Sequence, residues 1–99
     1  MHTNASMMEM FQRYGDRICA IGLNNGKRLL IGYRGENSTQ LRDISFETID
    51  GVDLMVVKKV DISSGRKLHF KDYITTEFIE YVLVMDEEDA DYRIDPFHL

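Results

Sequence analysis

Three glycine-containing turns divide the middle of this chain into short segments, and they constrain its fold more than any other feature. The turns are Asn25-Gly26, Asp50-Gly51 and Ser64-Gly65. Asn-Gly supplies the two positive φ angles of a type I′ turn, so the apolar runs on either side of it, residues 17–23 and 28–34, are predicted to form a β-hairpin. Turns of this kind at short intervals indicate a chain built from antiparallel strands.

Four further stretches have the pattern of strands. They are residues 41–49, 54–62, 68–70 and 79–85. Strand-forming residues dominate the last of them, and we predict a single turn over 75–78 before it. Thr75 also suits a helix cap, so a helix over 75–85, giving an α+β fold, is the alternative.

A short helix is predicted before the first strand. Ser6 and Glu9 have the spacing of a capping box, and Gly15 is a natural helix end. Between them one apolar stripe recurs at helical spacing. Its members are Met7, Met10, Phe11 and Tyr14. A helix this short must pack on the sheet, because it is not stable alone.

These elements predict a mainly β protein: a small barrel of five or six antiparallel strands with a short N-terminal helix. The 99 residues make one domain, with the barrel over about residues 6–85 and an acidic extension over 86–99. The single cysteine, Cys19, excludes an internal disulfide. No apolar run reaches the roughly 20 residues of a membrane span, and the N-terminus lacks the features of a secretory signal. We therefore expect a cytoplasmic protein that does not associate with membranes.

Charge is distributed unevenly along the chain. Up to Lys71 there are eleven basic and eight acidic residues, whereas from Asp72 onward there are one basic and nine acidic residues. The acidic end is interpreted as a solvated tail, a partner-binding tail, or a tail that competes with nucleic acid for the body. The net charge of −5 disfavours bulk affinity for nucleic acid.

No constellation of residues indicates catalysis, a cofactor or a metal. The three histidines are far apart, and the acidic run from Asp86 to Asp91 suits solvation better than an acid–base pair. His69 is expected on the outer face of a strand and Cys19 in an apolar, buried strand. The sequence therefore predicts no enzyme, no cofactor and no metal site.

Basic residues offer the best candidate surface, for nucleic acid or for a partner. Two pairs flank the third turn and are expected near one end of the barrel, with one more at the end of the first hairpin. They are Lys58, Lys59, Arg66, Lys67 and Arg34. The simpler interpretation is that lysines on a strand protect its edge from aggregation.

Residues 6–35 resemble Sm-like proteins. There a capped helix precedes a hairpin that carries Leu23, the turn glycine Gly26 and the second-strand glycine Gly32. The resemblance implies a small SH3-like or Sm-like barrel. The two glycines are one residue further apart than in the family pattern, and the RNA-pocket motifs of that family are not matched. No RNA-pocket residue is therefore carried over, and fold alone does not give function.

The C-terminal end has two interpretations. An acidic run followed by Pro96 and Phe97 resembles the tail with which bacterial single-strand DNA-binding proteins recruit partners, although in that family the phenylalanine is the last residue. The alternative is that apolar residues of the tail dock on the barrel. The candidates are Tyr92, Ile94 and Phe97.

The leading prediction is a non-enzymatic interaction module, a small accessory protein that binds a protein partner or a second copy of itself. The first alternative is an Sm-like or oligonucleotide-binding protein that binds single-stranded RNA or DNA. The second is a minor enzyme, which would need a concave pocket with convergent polar side chains.

Overall fold

The described part of the chain contains one α-helix, six strands and three short 3-10 helices. The computed structural model describes residues 2–32 and 39–89. The helix α1 spans Asn4–Tyr14. The strands are β1 Ile18–Leu23, β2 Arg28–Leu30, β3 Ile44–Ile49, β4 Val52–Ser63, β5 Arg66–Thr75 and β6 Ile79–Val84. The mainly β class with an N-terminal helix is therefore confirmed.

The strands form two antiparallel sheets of three strands each, in the orders β2-β1-β6 and β3-β4-β5. Within the described residues β2 and β3 do not pair, so the strands do not close into a barrel and the predicted barrel is not confirmed. The strand β2 has only three residues, and Gly32 turns the chain with a φ of 78° soon after it ends. The backbone thus leaves the first sheet before it can continue into the second.

The hairpins of the second sheet have the tight turns that their sequences predict. Asp50 and Gly51 have φ angles of 51° and 77°, and Ser64 and Gly65 have φ angles of 51° and 74°. Positive φ at both central residues is typical of type I′ turns, whose twist matches that of the flanking strands. These two turns fix the register of β3 on β4 and of β4 on β5.

The first hairpin forms as predicted, but the prediction of a type I′ turn at Asn25-Gly26 is wrong. Only Gly26 has a positive φ there, of 82°. The side chain of Asn25 accepts the Lys27 amide at 2.9 Å, and the Leu23 amide donates to the Lys27 carbonyl across a three-residue loop. Asn25 therefore shapes the turn through its side chain rather than through a left-handed backbone.

The N-cap of the helix lies three residues before the predicted cap. Thr3 is the N-cap: its hydroxyl accepts the Ser6 amide at 3.1 Å, and the Ser6 hydroxyl accepts the Thr3 amide at 2.9 Å. Ser6 is thus the inner partner of the capping box, not its first residue. Gly15 ends the helix, as predicted, with a φ of 51°.

Residues 75–85 form no α-helix, so the helical alternative is wrong. Thr76–Phe78 make one 3-10 turn, and β6 follows at once, as the strand-forming residues predict. β6 pairs with β1 through the register Ile21 to Val82. Pairing to a buried strand accounts for this outcome, because a helix would leave the edge of β1 without partners.

The core lies between the two sheets and under α1. It is formed by Met7, Ile18, Ile21, Ile31, Ile44, Met55, Val57 and Ile79. The rings of Phe11 and Phe46 meet edge to face with centroids 5.5 Å apart, which fixes α1 on the second sheet. Each fully buried apolar side chain of this kind contributes about 1.5–3 kcal/mol.

Hydrogen bonds of Asn4 connect the start of the helix to one end of the second sheet, where β3 ends, β4 begins and β5 ends. Its backbone amide donates to a carboxylate oxygen of Asp53 at 2.9 Å, and its side-chain amide donates to the Glu47 carbonyl at 2.9 Å. Its Oδ1 accepts the hydroxyl of the fully buried Thr76 at 2.6 Å. These contacts place the β3–β4 hairpin and the 3-10 turn against one helix end.

Candidate interaction surface

The outer half of the β4–β5 hairpin projects from the second sheet as a two-stranded ribbon. We define the ribbon as residues 58–71, including the turn at Ser64 and Gly65. The pairing of β3 with β4 stops at the contact between Ile44 and Val57, so β4 has no β3 neighbour along the ribbon. Every residue from 58 to 71 is exposed. The ribbon therefore has two free faces and two free edges within the described chain.

The register assigns each side chain of the ribbon to one of two faces, because directly opposed residues of an antiparallel pair share a face. Lys58 lies opposite Lys71, and the pairs alternate from there to the turn. The lysine face consists of Lys58, Val60, Ile62, Lys67, His69 and Lys71. The mixed face consists of Lys59, Asp61, Ser63, Arg66, Leu68 and Phe70.

The lysine face carries three formal positive charges and no acidic residue. Lys58 and Lys71 are direct cross-strand neighbours. Like charges in this position destabilise an antiparallel pair, and an anionic partner would relieve that repulsion. Lys67 lies four register positions nearer the turn, which is about 13 Å at the usual rise per strand residue. This face is therefore a positively charged surface with Val60 and Ile62 between its charges.

Charges on the mixed face are balanced inside the molecule. Lys59 forms a salt bridge with Asp72, and both side chains are about half exposed. Asp61 shares this face with Arg66. An exposed pair of this kind adds little stability, but it leaves the mixed face without the excess charge of the lysine face.

The predicted basic residues meet on one element but not on one surface. Lys58-Lys59 and Arg66-Lys67 all lie on the ribbon, as expected for residues that flank one turn. Neighbours along a strand point to opposite faces, so Lys58 and Lys67 share the lysine face whereas Lys59 and Arg66 share the mixed face. The other candidates, Arg34, Tyr92, Ile94 and Phe97, lie outside the described residues.

The ribbon also carries four exposed apolar side chains and Lys71. These residues were not identified from the sequence as part of a candidate surface. The apolar side chains are Val60, Ile62, Leu68 and Phe70, with exposures of 54%, 74%, 39% and 49%. In the sequence these residues alternate with charged residues, which could have indicated an exposed apolar surface. The same alternation is also typical of a strand that packs one face on a core. The four apolar side chains give the ribbon an exposed apolar surface beside its charges, on an element that would be only marginally stable in isolation in water.

An open groove of about 1270 Å³ lies between β2 and the base of the ribbon. Its walls include Leu30, Lys58, His69 and Tyr73. His69 and Asp61 also border it, but the register puts them on opposite faces of the ribbon. The groove therefore does not bring these two groups together as an acid–base pair.

Other sequence features have structural roles. Cys19 is buried, as predicted, and its thiol lies 3.4 Å from the Arg17 carbonyl. Across residues 2–32 and 39–89, no three side chains of His, Cys, Asp or Glu are grouped so as to hold a metal ion. In the same residues no helix is both long enough and apolar enough to span a membrane.

A scan against protein-family models finds no match, and comparisons with curated proteins and with solved structures find no similar chain. The resemblance of residues 6–35 to Sm-like proteins thus stays a prediction. The function proposed below is therefore based on the geometry of this chain alone.

Proposed function

We propose that this protein is a non-enzymatic interaction module that binds a protein partner through the ribbon. This proposal rests on one observation: residues 58–71 are all exposed, and they include the apolar residues Val60, Ile62, Leu68 and Phe70. Apolar side chains on a projecting hairpin gain stability when a partner covers them, at roughly 25 cal/mol per Å² of buried apolar area. Aromatic side chains such as Phe70 are enriched in the cores of interfaces.

The arrangement of the sheets also supports a small-barrel origin for this module. β6 returns to pair with β1, and one 3-10 turn joins β5 to β6. Such a connection between the two sheets is expected in a small barrel of the SH3-like or Sm-like kind, where closure would need further contacts between β2 and β3 and between β5 and β6. In this interpretation the ribbon is an elongated hairpin added to an incompletely closed barrel.

Two experiments test this proposal. Random displayed peptides are selected for binding to the immobilised full-length protein, and sedimentation velocity measures the self-association of the protein alone. The double variant Ile62→Ser and Phe70→Ser removes the apolar groups of the ribbon. The matched control, Met8→Ser and Ile49→Ser, changes two other exposed apolar residues that lie outside the ribbon. All four positions are exposed, so both variants are expected to keep the fold, which circular dichroism verifies.

We expect peptides, or a second copy of the chain, that bind the wild type and the control but not the ribbon variant. Self-association lost only in the ribbon variant would identify the second copy as a partner. The proposal is wrong if neither peptide binding nor self-association depends on the ribbon.

A second candidate function is binding of single-stranded nucleic acid, favoured by the acid-free lysine face and the half-exposed Tyr73 ring nearby. The net charge of −5 counts against it. Anisotropy of labelled single-stranded RNA and DNA at low salt tests this candidate. Binding that weakens steeply with salt and is lost in the double variant Lys58→Gln and Lys71→Gln would support it, and no binding at micromolar protein would exclude it.

A further inference from the structure

Within the described part of the chain, the outer edge of β5 has no neighbouring strand. In the sheet order β3-β4-β5 this strand is hydrogen-bonded to β4 on one side, and among the described residues no strand lies on the other. Exposed backbone amides and carbonyls of an edge strand are a template for pairing with an added chain. Residues 66–71 of this edge are exposed along their whole length.

The side chains of β5 alternate in chemistry as well as in direction. Lys67, His69 and Lys71 point to the lysine face, whereas Leu68 and Phe70 point to the mixed face. An added strand has the same two-residue period, so its side chains meet basic groups on one face and apolar groups on the other. The alternation along β5 therefore determines which residue types a paired strand presents at successive positions.

We infer that β5 binds an extended peptide in which acidic and apolar residues alternate, added as a strand to its free edge. This inference rests on the proposed function, because it names the partner of the same ribbon. The acidic side chains lie beside Lys67 and Lys71, and the apolar ones beside Leu68 and Phe70. Main-chain hydrogen bonds give affinity in strand addition, and the alternate side chains give specificity.

A second copy of β5 is a poor occupant of this edge. If two copies of β5 pair antiparallel about a two-fold axis perpendicular to the sheet, the lysine faces of both chains lie on the same side of the joined sheet. Lys67, His69 and Lys71 would then meet the same three residues of the other copy, and like charges directly opposed destabilise the pair. Charge complementarity therefore selects an acidic partner over self-pairing.

Anisotropy with labelled peptides on the full-length protein tests the inference. The probe peptide has glutamates at its odd positions and valines at its even positions, over seven residues. A block peptide has the same composition but with all glutamates first, so it keeps the charge and loses the alternation. An N-methylated form of the probe keeps both but cannot donate its backbone hydrogen bonds.

We expect the probe to bind about tenfold more tightly than the block peptide, with binding lost on N-methylation. The double variant Lys67→Glu and Lys71→Glu should weaken the probe by about tenfold or more, whereas the control Lys27→Glu and Arg42→Glu, with the same change in net charge at exposed sites, should leave it unchanged.

Three results would overturn the inference. Equal binding of the probe and the block peptide would mean unspecific charge attraction. Tighter binding of a labelled single-stranded oligonucleotide would make nucleic acid the ligand. Absence of probe binding would show that Lys67 and Lys71 only protect the edge. If the probe does not bind but displayed peptides of another composition bind in a ribbon-dependent way, this inference fails while the proposed function stands. If no peptide binds and no self-association depends on the ribbon, both fail.

Discussion

Replacing Gly22 with alanine should destabilise the protein only while Tyr81 is present. Gly22 lies on buried β1 directly opposite Tyr81 on β6. The Tyr81 ring covers the glycine so closely that an added Cβ would overlap its ring atoms. The ring is also held by Arg28, whose Nε donates to the phenol oxygen at 2.8 Å and whose guanidinium carbon lies 5.7 Å from the ring centroid.

The magnitude follows from two opposed effects. Moving the ring aside introduces overpacking, which costs about 1–3 kcal/mol, and separates it from Arg28. Gly22 does not have a positive φ, so alanine fits the backbone there and should gain about 0.5–1 kcal/mol over glycine in a strand. We expect Gly22→Ala to cost about 1–2 kcal/mol in the wild type and to be neutral or slightly stabilising in a Tyr81→Ala background.

Urea unfolding of the four proteins measures this coupling. The chain has no tryptophan, so far-ultraviolet circular dichroism is the suitable signal. The double-mutant cycle should give a coupling free energy of about 2 kcal/mol, which for a domain of this size is a difference in Tm of about 10 °C. An equal cost of Gly22→Ala in both backgrounds would refute the steric argument and would place the strain in the backbone of β1 instead.

Three further substitutions test the packing and the ribbon. Thr76→Val removes the hydroxyl that donates to Asn4, so unfolding in urea should show a loss of about 1–2 kcal/mol, much smaller when Asn4 is already alanine. Met7→Ala opens a cavity at a fully buried core position and should cost about 2–5 kcal/mol in the same assay; a smaller loss would mean that α1 collapses onto the sheet. Lys71→Glu replaces the like-charge pair with Lys58 by an opposite-charge pair, so it should raise stability by about 0.5 kcal/mol in low salt, less in high salt, while weakening the alternating peptide.

Local signals in the sequence correctly predicted much of the secondary structure. The apolar runs beside Asp50-Gly51 and Ser64-Gly65 form strands, and Gly15 ends the helix. The wrong details are also local. Thr3 precedes Ser6 as the cap because each of their side chains accepts the other's amide, and Asn25 closes its turn with a side-chain hydrogen bond. Sequence patterns do not distinguish between such alternatives, since the same residue types satisfy both.

The candidate site was only partly predictable. The sequence placed two basic pairs around one turn, but it treated them as a single patch at the end of a barrel. Strand geometry divides them between two faces, and Asp72 neutralises Lys59 on one of these faces. The apolar half of the surface was missed, because Val60 and Ile62 have the spacing of core residues along β4.

By itself, then, the sequence determined the period of each strand, the positions of the tight turns and the alternation of Lys67 to Lys71 along β5. Those properties depend on neighbouring residues only. Tertiary structure decided that Met55 and Val57 face the core and that pairing to β3 stops at Val57. Both depend on contacts between distant segments, and the end of β3 leaves residues 58–71 as an exposed two-stranded extension of the sheet.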